Sequence, residues 1–234
     1  MSRISVSMAQ LASKQKTSKG VSLYSRFINR PAGRFFAALG QLIGMTPNQM
    51  TLASAVCTFS AIAVLGAAEP TWASGFVIAA LLILGFILDS ADGQLARLTG
   101  ASSAAGEWLD HVVDCARSVL IHTAVLVSFY RFFERSTDWL LAVPMVFQFA
   151  AVVLFVAGTL AALLKRTNGQ SAAGPPSVAR SVLLLPADFG ILAASFVLLG
   201  SGQLFVVVYS ALAAIQVLLL AALGAKWFAE LSER

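Results

Sequence analysis

Residues 89–114 read DSADGQLARLTGASSAAGEWLDHVVD and set four aspartates, one glutamate and one arginine between two long apolar runs. An ionisable group at membrane depth costs roughly 2.5–3.5 kcal/mol on insertion scales, so such groups are retained for function and are partnered. The spacing identifies the partner. Asp89 and Asp92 stand at i and i+3, with Ala96 next on the same face, and Gly106, Asp110 and Asp114 stand at i, i+4 and i+8. On two helices each set forms one stripe, and Thr99, Gly100 and Ser102 supply a tight connection that folds the stripes face to face. Four carboxylates brought together repel one another. One or two hard divalent cations such as Mg2+ or Mn2+, which prefer oxygen ligands, neutralise them.

The surrounding chain sets this cluster in a membrane. Its 234 residues are 58% hydrophobic and 12% charged, with a mean hydropathy of +0.82. That composition excludes a soluble globular domain and predicts an all-α, polytopic membrane protein. Residues 1–20 are expected to form a mobile cytosolic tail. Residues 21–45 are expected to form an interfacial amphipathic helix, with Arg26, Arg30 and Arg34 recurring every fourth position beside Leu23, Phe27, Phe35, Leu39 and Ile43, and with a kink or restart at Pro31.

Residues 46–229 are expected to hold six transmembrane helices. The first opens at Thr46-Pro47-Asn48, with threonine as cap and proline in the first turn, and runs to about Ala67. The others cover about 72–97, 103–130, 139–164, 178–200 and 203–228, the fifth interrupted at Pro186 and Asp188. Residues 165–177 form the one long polar loop, and 230–234 a short cytosolic tail. Trp72, Trp139 and Trp227 fall near helix ends, as interface anchors do. Cys57 and Cys115 show no metal spacing and are expected to be buried free thiols.

With the N-terminus inside, thirteen of the sixteen lysines and arginines fall on the cytosolic side and two on the other, Arg117 lying within a helix. The basic surplus is therefore the positive-inside bias rather than a nucleic-acid surface. It places the chain in the cell membrane with the aspartate stripes facing the cytosol. A metal-filled acidic pocket at that edge suits a substrate with a diphosphate head and a lipid tail. Arg97 is placed to pair with the phosphates, small Gly93, Ala96 and Gly106 let the helices and a ligand approach closely, and an aspartate at the cluster's edge can deprotonate an attacking hydroxyl.

The pattern Asp89-x2-Asp92-Gly93-x2-Ala96-Arg97-x8-Gly106-x3-Asp110-x3-Asp114 resembles the signature of the CDP-alcohol phosphotransferase family at all eight fixed positions. The resemblance extends over about 22–229 and includes Thr46-Pro47-Asn48. It implies transfer of a substituted phosphate, phosphatidyl in type, from a CDP-alcohol to an acceptor hydroxyl with release of CMP, in phospholipid biosynthesis. CDP-diacylglycerol is the expected donor. The resemblance further implies that Asp89, Asp92 and Asp110 hold two divalent ions, with Asp114 as general base sharing in metal binding. It also implies that Asn48, Gly93, Ala96, Arg97 and Gly106 form the CDP pocket and that the protein is a homodimer. Two alternatives stand beside it. A membrane prenyltransferase would carry more helices and a different spacing. A cation transporter would place its acids nearer mid-membrane, and the chain shows no internal repeat of the transporter kind.

If the acceptor is itself a phosphate, of the inositol phosphate or glycerol phosphate type, cations are needed beyond Asp114. Arg117 lies on the same stripe, and Lys165, Arg166 and Arg180 arrive from the cytosolic loop. The alternatives are that Lys165 and Arg166 anchor a helix end, and that Arg117 pairs with Asp188. His111 and His122 are expected to serve polar packing or headgroup-level contacts, and Glu107 to stabilise a helix N-terminus.

Overall fold

The computed structural model describes residues 8, 10, 11, 21–133, 138–167 and 178–232, and among these all regular structure is helical. A wide π-helical turn, Ser25–Asn29, leads into α1, Arg30–Leu42. Pro31 stands in its first turn, where a missing N–H costs nothing, so the helix restarts where the proline falls. Next come α2, Pro47–Ala67; α3, Trp72–Thr99; α4, Ala104–Phe132; and α5, Asp138–Thr167. After Thr167 the predicted polar loop lies mostly outside the described residues. The chain resumes with α6, Val178–Leu183, then a 3-10 turn Leu185–Ala187, α7, Phe189–Ser195, a second 3-10 turn Phe196–Gly200, and α8, Gly202–Ser232.

The helix ends are written in short polar residues. Thr46 Oγ1 accepts from the Gln49 N–H at 3.3 Å while Gln49 Oε1 accepts from the Thr46 N–H at 2.9 Å. This capping box starts α2 at the predicted place. Thr71 and Ser74 repeat the device at α3. Gly100, at φ +69°, ends α3 in the left-handed conformation that glycine adopts without strain, and Ser103 Oγ accepts from the Gly106 N–H at 3.1 Å to open α4.

Five of these helices, α2, α3, α4, α5 and α8, are long and apolar enough to cross a bilayer. The region expected to supply the fifth of six spans is not one long helix. Pro186 has no N–H to continue a ladder, and Asp188 caps α7 by accepting from the Gly190 N–H at 2.8 Å, so 178–200 is divided into short pieces. α5 and α8 run parallel: Lys165, near the end of α5, pairs with Glu230, near the end of α8, and Gly202 at the start of α8 lies against Phe133, just past α4.

α3 is the centre of the packing, with α1, α2, α7 and the 196–200 turn against it, while α5 joins α4 to α8. At the α2–α3 seam Ser54 Oγ donates to the Gly85 carbonyl at 2.8 Å, and a methyl at Gly85 would strike Thr58 Oγ1; the close approach needs glycine. Away from the aspartates, Leu65, Ile78, Leu82, Phe129, Phe196, Phe205 and Tyr209 form the main core. In lipid such a core gains from close packing more than from excluding water. His122 lies within it, its Nδ1 2.6 Å from the Tyr209 hydroxyl, as expected of a packing histidine.

α1 turns Gly33, Ala37, Ala38 and Gly40 inward and leaves Phe27, Ile28, Phe35, Leu42 and Ile43 exposed around it. The predicted mobile tail falls outside the described residues except at Met8, Gln10 and Leu11, where Leu11 is fully buried with Ala37, Met50, Ala91 and Leu95. Cys57 and Cys115 are free, but half-buried rather than buried, because α2 and α4 are only partly covered by their neighbours. Trp72 packs on Gly200 and Trp227 on Gly158, while Trp139 stays exposed. Outside the spans, burial first and the Asp188 charge second push the Tyr24 phenol above its ordinary pKa.

Candidate active site

The two aspartate-bearing helices do not pack as a pair. Among the described residues α3 and α4 hardly touch, each leaning instead on α2. The space expected for a ligand between the stripes opens as a gap, and Gly93, Ala96 and Gly106 form its walls. The gap is an open cavity of about 280 Å³. Asp92, Arg97 and Asp110 project into it from opposite sides, with Asn48 and Thr51 contributed by α2 and Arg166 by α5. Asn48 is exposed at the rim, and a methyl on Gly106 would come to 3.0 Å from Asn48 Oδ1.

The carboxylates meet across the gap. One oxygen from each of Asp89, Asp92 and Asp110 lies within 4.8 Å of the others. At an effective dielectric near 20, each like-charged pair at that separation repels by roughly 3–4 kcal/mol. Octahedral Mg2+ with bonds of about 2.0–2.1 Å holds neighbouring ligand oxygens roughly 3 Å apart, so modest side-chain rotation closes the set. Asp89 Oδ1 is buried without a hydrogen-bond partner, an orphan that a bound cation would satisfy. The residues present therefore fit a hard divalent metal. Thr51 Oγ1 donates to Asp92 Oδ2 at 2.6 Å, and the Gly93 N–H donates to Asp92 Oδ1, fixing that ligand's orientation.

Thr51 was not evident from the motif, although it stands three residues after Asn48 on α2, the same one-face spacing as Asp89 and Asp92. Removing its hydroxyl in Thr51→Val should weaken metal affinity by about 10–100-fold. Mn2+ titration of the purified variant checks this, and an unchanged affinity would remove Thr51 from the site.

The candidate cations take different places. Arg97 lines the cavity, and its Nε is buried without a hydrogen-bond partner, so an anionic ligand there would meet an unused donor. Arg117 is 8% exposed and points at the aspartates. Its Nη2 lies 2.5 Å from Asp114 Oδ1 and its Nη1 3.9 Å from Asp89 Oδ2. The alternative pairing of Arg117 with Asp188 is overturned, because Asp188 accepts from the hydroxyls of Ser22 and Ser25 instead. Arg166 reaches the cavity mouth and meets Glu107 at 3.3 Å, which gives that glutamate a partner beyond the helix dipole. Lys165 does not line the cavity; it bonds to Glu230. Arg180 is in α6, and its side chain lies outside the described ones.

Asp114, one turn below Asp110, is not one of the three carboxylates that share a group; its Oδ1 pairs with the Arg117 guanidinium, which also reaches toward Asp89. His111 lines the cavity with Nδ1 3.6 Å from Asp110 Oδ2 and its ring edge-to-face with Phe155. It is closer to the chemistry than its position off the aspartate stripe implied.

The chain is similar over 88 residues to the archaetidylinositol phosphate synthase of Aeropyrum pernix, at 34% identity. That match covers 37% of this chain and 42% of the relative, so it spans less than half of that protein's length. The family model for CDP-alcohol phosphatidyltransferase matches residues 44–222, from just before the α2 cap into α8. With that match over most of its length and Asp92, Asp110 and Arg97 lining one cavity, the chain belongs to the CDP-alcohol phosphatidyltransferase family of phosphotransferase enzymes.

Proposed function

We propose that this protein transfers a phosphatidyl-type phosphate from a CDP-linked lipid, CDP-diacylglycerol in class, to the hydroxyl of a polar phosphorylated alcohol, releasing CMP. The observation that carries this reading is the gap between α3 and α4, where Asp89, Asp92 and Asp110 converge beside the unpaired Nε of Arg97. Arg97 binds the diphosphate, and Gly93, Ala96, Gly106 and Asn48 leave room for the cytidine end. Asp89, Asp92 and Asp110 would hold Mg2+ or Mn2+, which when bound would supply charge stabilisation to the transferring phosphate and the departing CMP. Asp114 takes the proton as the acceptor oxygen bonds to phosphorus and the bond to the CMP oxygen breaks. Arg117 engages Asp114 Oδ1, so Oδ2 receives that proton.

On the acceptor side, Arg166 at the cavity mouth and Arg180 beyond the loop meet the acceptor's own phosphate. The name of the Aeropyrum pernix relative favours an inositol phosphate. Lys165, held by Glu230, anchors α5 to α8. The distribution of lysine and arginine favours a cell-membrane protein with this site on the cytosolic face. The parallel course of α5 and α8 supports six crossings, since the 178–200 segment has to return the chain across the bundle. Family resemblance favours a homodimer.

The purified protein in lipid nanodiscs, supplied with CDP-diacylglycerol, Mn2+ and a panel of alcohols, should release CMP only when an acceptor is present, and fastest with inositol phosphate. CMP formation with no acceptor in the panel, or consumption of a prenyl diphosphate instead, would contradict the assignment.

A further inference from the structure

We infer that Arg117 is a built-in cation of the carboxylate cluster, standing where a second metal ion would otherwise bind, so that the protein without nucleotide holds one divalent ion. The inference rests on the metal-dependent reading of the site given above. Four aspartates line the two stripes, but only Asp89, Asp92 and Asp110 bring oxygens together in one group. The fourth, Asp114, is paired through Oδ1 with the Arg117 guanidinium at 2.5 Å, which also reaches to within 3.9 Å of Asp89. A guanidinium keeps its proton under all ordinary conditions, so its charge is permanently resident. A second divalent ion shared by Asp89 and Asp114 would sit directly against it and be repelled. One divalent ion and Arg117 together balance three of the four negative charges.

The seat of Arg117 is built, not incidental. Its guanidinium lies over the face of Phe189, 4.3 Å from the ring centre, with Phe86 at 5.7 Å, an arrangement that holds a cation by its attraction to the ring faces. Phe189 opens α7, and α7 is capped by Asp188. Asp188 is in turn tied to Ser22 and Ser25 of the N-terminal segment, the latter at 2.5 Å. Tyr24 stacks near Phe86 and presses on Gly190, where a methyl would collide with its ring. Three segments distant in sequence thus meet around one arginine. The break in the 178–200 region at Asp188 delivers Phe189 to the site. Arg117 is accordingly a positioning residue that acts through Asp114 and Asp89, which takes it out of the acceptor-binding set.

The test is the stoichiometry of Mn2+ bound to the purified full chain in detergent without nucleotide, read by electron paramagnetic resonance and by equilibrium dialysis. Wild type should bind one ion per chain, Arg117→Lys one, and Arg117→Met two. Asp114→Asn should still bind one, because Asp114 is not a ligand. Two tight ions in wild type, falling to one in Asp114→Asn, would overturn the inference, as would Arg117→Met remaining at one. If Arg117→Met does not fold, the wild-type and Asp114→Asn values decide the matter. No Mn2+ on wild type would instead remove the metal-dependent reading itself, and the inference with it.

Discussion

Asp92→Asn should abolish Mn2+ binding and lower CMP release by roughly 10³-fold, equivalent to about 4 kcal/mol of lost stabilisation of the phosphoryl transfer. The substitution preserves shape and leaves an oxygen to accept from Thr51 Oγ1, which now meets Asp92 Oδ2 at 2.6 Å. The packing of α2 on α3 should survive, and the loss should therefore register as charge and not as unfolding. Hard divalent cations select anionic oxygen, and in a group of three carboxylates an amide supplies only a weak substitute. The check is paired: bound Mn2+ by electron paramagnetic resonance, and CMP release under saturating donor. Near-wild-type turnover with the ion absent would show that Asp92 serves the fold and not the reaction.

Asp114→Asn should behave differently, and the difference separates the two roles. Turnover should fall by roughly 10²–10⁴-fold, the range for losing a positioned general base, while the Mn2+ bound by Asp89, Asp92 and Asp110 remains. The amide leaves Arg117 without its nearest anion in a buried site, which carries a stability cost of its own, on the order of 3–5 kcal/mol for a broken buried pair. Thermal unfolding has to be followed beside kcat so that the two losses are not confused. A variant that keeps wild-type kcat would place the base elsewhere, with His111 at the cavity wall the next residue to substitute.

Much of the site was legible because its logic is local. Stripe spacing on a helix depends on 3.6 residues per turn, so Asp89, Asp92, Asp110 and Asp114 could be grouped without any knowledge of tertiary structure. The caps at Thr46 and Gly100 are short-range signals of the same kind. A pocket between the stripes was expected, but that α3 and α4 hardly touch one another was not legible. Gly93, Ala96 and Gly106 suit a close helix seam and a cavity wall equally well, and only the lean of both helices on α2 decides between them. Thr51 donates across 41 positions to Asp92, and no pattern within one helix reveals a partner on another.

Arg117 illustrates the same limit. Its position three residues after Asp114 made a local salt bridge available, yet the choice between Asp114 and Asp188 depended on Ser22 and Ser25, more than 160 positions from Asp188. The interruption at Pro186 and Asp188 was visible as composition, but that it brings Phe189 over an arginine was not. Lys165 and Arg166 are adjacent in sequence and diverge in structure, one to Glu230 and one to the cavity mouth, because successive residues on a helix point about 100° apart.

In the proposed reaction an acceptor oxygen attacks the phosphorus next to the lipid and expels CMP. The most direct measurement uses CDP-diacylglycerol carrying a phosphorus label only on the phosphate attached to the lipid, given to the purified protein in nanodiscs with Mn2+ and inositol phosphate. All transferred label should appear in the lipid product while CMP is released unlabelled, in equal amounts and only with acceptor present. Label recovered with the cytidine nucleotide, or a labelled product formed without CMP, would contradict it.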